Sequence, residues 1–345
     1  MSLLYLTQQG AKLQKNQNRL VLTLPESASI HIPVQEVEQV MVFGNVQLTT
    51  QALTTLLLRQ VPVMFLSQTG SYRGHLWRDR HDHRAQAAQF ARLRDPAFQL
   101  ALAREIVVGK AWNSKQLLLK LNRRRNLATV DTAIARIDRE IETVNHLDPS
   151  PDSLPDIIPN ILEQLRGYEG AIAAHYFPAF GQLILPPEFT LTERNRRPPR
   201  DPVNAMLSFG YTLLCNNVLS LLILEGLNPY LGNLHRSDRN EAQLAFDLME
   251  EWRSPIVDVL VIALLNQQIF KLHYFSPPQP NGGIYLNEQG RRRFLQAFER
   301  RIMTPVHHPD AREPVPYRRA IQLQIRRYKR SLLENIPYET FRRVT

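Results

Sequence analysis

Two hydrophobic patterns divide the chain. Over the first eighty or so residues, short runs rich in β-branched and aromatic residues alternate with turn signals. The runs predict strands at residues 3–6, 19–24, 30–33, 40–42, 61–66 and 72–77. A helix that begins after Thr49 or Thr50 and continues to about Gln60 interrupts them. The pattern therefore predicts a small, mostly β N-terminal domain over residues 1–80.

The hydrophobic spacing becomes helical from about Arg84 onward. Loops rich in Pro, Asn or Gly separate the helical segments, at residues 146–159, 186–202 and 276–283. We therefore expect a larger α-helical domain over residues 91–345, joined to the first by a charged linker at 81–90. The expected fold class is α+β, with a small mostly-β N-terminal domain followed by a larger all-α domain.

One segment is apolar enough to cross a membrane. Residues 202–224 contain no charged side chain and are long enough to span a bilayer. Asn204, Asn216 and Asn217 would be costly facing lipid, and the same composition suits the central helix of a large helical core. We expect a buried helix and no membrane partner.

Composition and charge indicate a polyanionic partner. The 345 residues, 43% of them hydrophobic, are enough to bury a sizeable core. The net charge is +10, and the forked guanidinium of the abundant arginines suits phosphate oxygens, so nucleic acid is the leading partner. The alternative is that these arginines lie on ordinary Arg/Glu helix faces.

Cysteine usage and the N-terminus bear on location. Cys215 is the sole cysteine, which excludes an internal disulfide and a multi-cysteine zinc site and fits a reducing compartment. It lies in an apolar run, where we expect an inert thiol. The N-terminal MSLLYLTQQG lacks the features of a signal peptide, so we expect a cytoplasmic protein.

Candidate chemistry is concentrated in three segments of the helical part. The segments are LRGYEG at 165–170, NPYLGNLH at 228–235 and LAFDLMEEWR at 244–253. They offer Glu169, His235 and, three apart on one helix face, Asp247 and Glu250. Two neighbouring acids repel unless a cation lies between them, and a mixed oxygen and nitrogen set suits Mg²⁺ or Mn²⁺.

Each of these residues also has an ordinary structural interpretation. Glu169 could be a first-turn acid favoured by the helix dipole, and His235 a loop residue bonded to backbone. Asp247 and Glu250 could form a solvated stripe on an amphipathic helix. Spacing alone leaves both interpretations open.

A longer motif carries more information than the spacing. Residues 196–214 are RRPPRDPVNAMLSFGYTLL, followed by GLNP at 226–229, the turn to His235, and LAFDLMEEWR. In order and spacing these segments resemble the signature of the first CRISPR-associated protein family, the integrase of the adaptation module, in which an Asp usually stands at the position of Asn228. VFGNVQLT at 42–49 and VPVMFLS at 61–67 resemble the β domain of that family, so the resemblance covers nearly the whole chain.

The resemblance implies a metal-dependent DNA integrase of antiviral defence. Such an enzyme inserts short foreign DNA segments, the spacers, into a CRISPR array by attack of a 3′-hydroxyl on a phosphodiester. By position, the implied ligands of Mg²⁺ or Mn²⁺ are Glu169, His235 and Glu250, with Asp247 as an accessory acid. The implied partners are double-stranded DNA, a second copy bound through the β domain, and a small second CRISPR-associated protein that bridges two such dimers.

Arginines beside these segments are candidates for contacts with the DNA backbone. The candidates are Arg166, Arg196, Arg197, Arg200, Arg236, Arg239 and Arg253. For any single arginine the alternative is a surface salt bridge. The clusters at 123–125, 291–293 and 326–330 are expected to be solvated helix faces or to attract DNA only broadly.

Two histidine pairs resemble metal-binding motifs. They are His81 with His83 at the domain joint, and His307 with His308. Neither pair has a convincing companion cluster of ligands in the sequence, so we expect neither to bind a metal.

Two rival functions use overlapping features. A metal-dependent nuclease that cuts branched DNA or RNA without joining it would need the same ligands, with water in place of the 3′-hydroxyl. A DNA-binding scaffold that has lost activity would not need an intact ligand set. The sequence contains no Walker-type phosphate loop, consistent with a transesterification that consumes no nucleoside triphosphate.

Overall fold

The fold consists of two compact units, Met1–Arg80 and His81–Thr345. The structure is a computed structural model, and it describes residues 2–25, 28–78, 82–147, 154–235 and 241–343. The first unit is rich in strands and the second is mostly helical. The expected α+β class is confirmed.

The first unit contains two sheets and one helix. Its strands are β1 (Ser2–Leu6), β2 (Lys12–Asn16), β3 (Arg19–Thr23), β4 (Ile30–Pro33), β5 (Val37–Phe43), β6 (Gln47–Leu48), β7 (Val63–Leu66) and β8 (Tyr72–Leu76). Among the described residues they form four-stranded sheets of order β1-β5-β7-β8 and β4-β3-β2-β6. Helix α1 (Thr50–Leu58) lies between β6 and β7, and the Thr49 hydroxyl accepts a hydrogen bond from the Ala52 amide at its start.

Two strands of this unit were missed by the sequence pattern. In β2, Leu13 is the one buried residue of a polar segment, so the sequence shows no alternation of hydrophobic and polar residues there. What holds β2 in the sheet is its pairing with β3 and β6. Strand β6 is only two residues long. Strand β5 extends beyond the expected residues 40–42 because its parallel pairing with β1 begins at Val37.

The second unit is built from helices. They are α2 (His83–Arg92), α3 (Pro96–Asn122), α4 (Ala128–Asn145), α5 (Leu154–Gln182), α6 (Pro202–Leu224), α7 (Gln243–Met249), α8 (Val259–Asn266), α9 (Glu288–Ile302) and α10 (Tyr317–Glu334). A short antiparallel pair, β9 (Pro305–Val306) and β10 (Val315–Pro316), precedes α10. Asp95 and Asp201 accept hydrogen bonds from backbone amides in the first turns of α3 and α6, each just ahead of a proline that suits a helix start.

The segment expected as a linker at 81–90 is instead largely helix α2. Asp82 caps α2 and pairs with Lys329 of α10 at 2.8 Å. The Gln89 side chain bonds both backbone groups of Asn228, at 2.9 and 3.0 Å. Ala85 and Gln89 are the buried residues of α2, so its hydrophobic signal is weak and its charges resemble a linker.

Helix α6 lies inside the second unit. Of the helices that the structure describes, α6 alone is long and apolar enough to cross a membrane, and 72% of its most apolar stretch is buried. Its amide side chains are paired within the protein: Asn217 donates to the Leu213 carbonyl and accepts from Arg318. The helix is therefore the expected core helix, and burial raises the pKa of its Cys215 thiol to about 12.

Candidate metal site

Three side chains distant in sequence meet within the helical unit. Glu169 lies on α5, His235 follows the turn after α6, and Glu250 follows the last residue of α7. Each offers one ligand atom, and these atoms all lie within 4.8 Å of one another. The structure therefore brings together Glu169, His235 and Glu250, the ligands that the family resemblance implies.

The segment that carries Glu250 is an irregular helix. Helix α7 continues through a 3₁₀ turn at Glu250–Trp252 and a π-helical turn at Arg253–Asp258 into α8. Single π turns inside helices are frequently found at functional sites. Asp247 and Glu250 are each only 1% exposed, which excludes the solvated stripe as an explanation of the two acids.

Asp247 holds the loop and the ring of His235. Its carboxylate accepts hydrogen bonds from the backbone amides of Asn233, Leu234 and His235, at 2.6, 3.1 and 3.0 Å. It also lies 2.8 Å from Nδ1 of His235. A proton on Nδ1 leaves Nε2 facing the Glu169 carboxylate, 3.8 Å away, as a metal-binding nitrogen. These contacts orient His235, while a direct role of Asp247 on a metal stays a prediction.

The electrostatics of the site shift the pKa values of Glu169 and His235 in opposite directions. Burial alone would raise the pKa of Glu169, but the charges of Lys110 and His235 lower it below its usual range. Burial alone would lower the pKa of His235, but the hydrogen bond to Asp247 and the neighbouring carboxylates raise it. Ionised carboxylates are the form that binds a cation.

Lys110 belongs to the site, and the sequence analysis missed it. Its ammonium on α3 lies 2.7 Å from Oε2 of Glu250 and forms an ion pair with Glu169 as well. A signal was present in the sequence, since Lys110 is the one charged residue in the otherwise uncharged stretch 106–114, IVVGKAWNS. A buried lysine is rare without a partner.

Arg253 lies beside Glu250 rather than on an outer helix face. Its Nη2 is 2.8 Å from Oε1 of Glu250, and its guanidinium lies 4.7 Å from the centre of the Tyr211 ring. The Tyr211 hydroxyl donates to the buried Asp258, at 2.6 Å. Arg194 stacks on the same ring. A contact of Arg253 with DNA stays a prediction.

The other candidate arginines fall into three groups. Arg166 donates to the Leu234 carbonyl at 2.7 Å and so ties α5 to the loop that carries His235. Arg196, Arg197 and Arg200 are exposed in the loop before α6. Arg236 and Arg239 lie outside the described residues. Contacts of all these arginines with DNA stay predictions.

His308 has a structural role. It is buried, its Nε2 lies 3.0 Å from Oε1 of Gln324, and its Nδ1 accepts a hydrogen bond from the Asp310 amide. His81 of the other pair lies outside the described residues. Within the part of the chain that the structure describes, Glu169, His235 and Glu250 are the group that could hold a metal.

The residues present fit a divalent cation. Both carboxylate oxygens of Glu250 are buried and have no aligned hydrogen-bond donor, although Lys110 and Arg253 lie at ion-pair distance. Two carboxylates and one imidazole are ligands that Mn²⁺ accepts, and Mg²⁺ favours the oxygens. The donor set of two carboxylates and one imidazole therefore fits a divalent cation.

The fold and the site define the class of protein: a strand-rich unit followed by a helical unit with a buried group of two carboxylates and an imidazole suited to a metal. The family model described as CRISPR associated protein Cas1 matches residues 4–300. The chain belongs to the Cas1 family of CRISPR-associated endonucleases. This membership confirms the resemblance found in the sequence motifs.

Relatives and solved structures agree with this assignment. The CRISPR-associated endonuclease Cas1 1 of Thermus thermophilus is 39% identical over 340 residues, which cover 98% of each chain. The structure of a casposase bound to an integration product has a TM-score of 0.83 at 22% identity, over 99% of this chain and 93% of that one. A Cas1 protein from Thermotoga maritima has a TM-score of 0.78 at 24% identity, over 96% of this chain and 97% of the other.

Proposed function

We propose that this protein is a metal-dependent DNA integrase that inserts spacers into a CRISPR array. The observation that carries the proposal is the convergence of Glu169, His235 and Glu250 within 4.8 Å in a chain of the Cas1 family. The reaction is attack of the 3′-hydroxyl of a short DNA duplex on a phosphodiester of the repeat. The shared fold with a casposase bound to an integration product is compatible with joining as well as cleavage.

The chain's own residues prepare this site for phosphoryl transfer. A divalent cation, Mg²⁺ or Mn²⁺, bound by Glu169, His235 and Glu250 would stabilise the charge that develops on the attacked phosphate. Asp247 fixes the imidazole of His235 so that Nε2 points toward Glu169. The exposed arginines ahead of α6 would hold the DNA backbone.

The partners follow from the family rather than from contacts in the structure. We propose that two copies associate through the strand-rich unit, and that a small second CRISPR-associated protein bridges two such dimers. Light scattering on the intact chain should give the mass of a dimer, and a monomer would contradict this part. A cytoplasmic location is part of the same proposal.

A joining assay tests the catalytic part. A labelled duplex, a supercoiled plasmid that carries the repeat, and Mn²⁺ should give joined product with the wild-type chain. Glu250→Gln should lower the joining rate by about 100-fold or more while DNA affinity stays nearly unchanged, because a ligand is lost but no phosphate contact. The matched control is Glu288→Gln, which alters an exposed acid paired with Arg292.

The rival functions predict other results. Shortened strands without joined product would indicate the nuclease that cuts but does not join. DNA binding with neither product would indicate the inactive scaffold. Joining at the wild-type rate by Glu250→Gln would show that the site is wrongly assigned.

A further inference from the structure

Lys110 provides the positive charge that two neighbouring acidic ligands require. Its ammonium bridges the carboxylates of Glu169 and Glu250 and is 2.7 Å from Oε2 of the latter. The whole residue is only 9% exposed, and Glu250 is almost fully buried. In the protein without metal, Lys110 therefore neutralises charge at the very oxygens that would bind a cation.

The backbone of Lys110 is fixed in place. A Cβ atom at the neighbouring Gly109 would overlap the hydroxyl of Thr340, so the segment after α10 packs directly on α3 at this point. Three residues further along α3, Asn113 donates to the carbonyls of Glu251 and Phe341, both at 2.8 Å. The helix cannot withdraw, but the four-carbon side chain of Lys110 can adopt other rotamers.

An ammonium and a divalent cation compete for these two carboxylates. A lysine ammonium is only a donor, so it cannot become a metal ligand. Like charges a few ångströms apart repel strongly where burial lowers the local dielectric constant. Binding of the metal at Glu169 and Glu250 is therefore opposed while the ammonium lies between the two carboxylates.

We propose that Lys110 is a resident competitor of the divalent cation at the site formed by Glu169, His235 and Glu250. Its ammonium stabilises the two carboxylates in the metal-free protein and raises the metal concentration needed to fill the site. The inference rests on the metal site of the proposed function and adds a residue that regulates its affinity.

Calorimetric titration of the intact chain with Mn²⁺ alone tests the proposal. Lys110→Met and Lys110→Gln, which remove the charge, should bind Mn²⁺ about tenfold or more tightly than the wild type. Lys110→Arg keeps the charge and should bind no more tightly than the wild type. The matched control is Lys115→Met, which removes the same charge from the same helix where the ammonium pairs with Asp138.

Thermal melting provides a second measurement if a variant folds poorly. Without Lys110 the buried acids lose the counter-charge that bridges them and keep only Arg253 beside Glu250, so Mn²⁺ should raise the melting temperature of Lys110→Met more than that of the wild type. Unchanged or weaker Mn²⁺ binding by both uncharged variants would overturn the proposal and leave Lys110 as a support for the ligands. If Glu250→Gln binds Mn²⁺ as the wild type does, or if no form of the chain binds it, the metal site itself is wrong.

Discussion

The carboxylate of Asp247 shows how much one buried acid can organise. It accepts from three consecutive backbone amides and from the ring of His235, so one side chain fixes both the loop and the imidazole. The sequence indicated Asp247 only as an accessory acid one turn from Glu250. Its hydrogen bonds make it a positioning residue, because a partner that orients a histidine ligand strengthens metal binding without touching the metal.

Replacement of Asp247 tests this role. Asp247→Asn should weaken Mn²⁺ binding by about 10- to 100-fold, because the amide cannot hold the proton on Nδ1 of His235 as a carboxylate does. Calorimetry with Mn²⁺ measures the change, and Asp138→Asn, which alters a half-exposed acid on α4, is the control. Wild-type affinity in Asp247→Asn would contradict the positioning role.

At the scale of elements, the segment after α10 fastens the helix that carries Glu250. Glu251 is buried and accepts hydrogen bonds from the Tyr338 hydroxyl, the Thr340 hydroxyl and the Phe341 amide. The Trp252 ring stacks on Phe341 with centres 4.3 Å apart. The segment after α10, which has no helical or strand periodicity, thus holds the two residues that follow Glu250 of the candidate metal site.

Glu251 should make the stability of the fold depend on pH. Burial raises the pKa of its carboxyl to about 7, although its three donors oppose the shift. The contribution of neutral Glu251 to the free energy of unfolding is fully present below the ordinary pKa of 4.5 and is lost as pH rises through about 7. The wild type should therefore lose about 3 kcal/mol relative to Glu251→Gln between pH 4.5 and 8, or several degrees in melting temperature.

Melting curves of both proteins at several pH values measure this effect. The control, Glu288→Gln, changes an exposed acid and should track the wild type at every pH. A constant difference between the wild type and Glu251→Gln across the range would show that Glu251 is ionised in the folded protein throughout.

At the scale of the whole molecule, the positive charge is widely spread, and position decides which part contacts DNA. The chain carries 42 Lys and Arg against 32 Asp and Glu. Many of the arginines are used internally, as Arg318 is in its pair with Glu299 and Arg327 in its pair with Asp310. Arg196, Arg197 and Arg200 are exposed in the motif loop before α6, although Arg197 lies 3.5 Å from Glu241.

A triple substitution tests the contribution of that loop. Replacement of Arg196, Arg197 and Arg200 by alanine should weaken DNA binding and reduce the slope of log K against log salt by about two to three, because each lost phosphate contact removes about 0.9. Mn²⁺ affinity should not change. Fluorescence anisotropy at several salt concentrations gives the slope.

The control removes the same charge elsewhere. Alanine at Arg123, Arg124 and Arg125, which follow α3, should change the slope much less. Equal effects of the two triple variants would mean that the loop before α6 attracts DNA only through its charge.

Local patterns account for the parts of the fold that could be predicted. Six strands, the helix after Thr49 and the helical second unit follow from periodicity and capping, which depend on neighbours in sequence. Strand β2 was missed because it buries only one residue, and what holds it is pairing with strands elsewhere in the chain. Glu169, His235 and Glu250 were predicted as metal ligands because they stand in family motifs.

By itself the sequence determined the α+β class, the core helix α6 and the family, and it predicted three metal ligands, since all of these depend on local spacing or on contiguous motifs. Only the tertiary structure decided that Lys110 meets Glu169, 59 residues away, and that Thr340 meets Glu251, 89 residues away. Contacts of this kind depend on how helices pack. The spacing of side chains along one helix does not show which residues of other segments they will contact. The charge balance of the site therefore became visible only when α3, α5 and the helix of Glu250 were brought together.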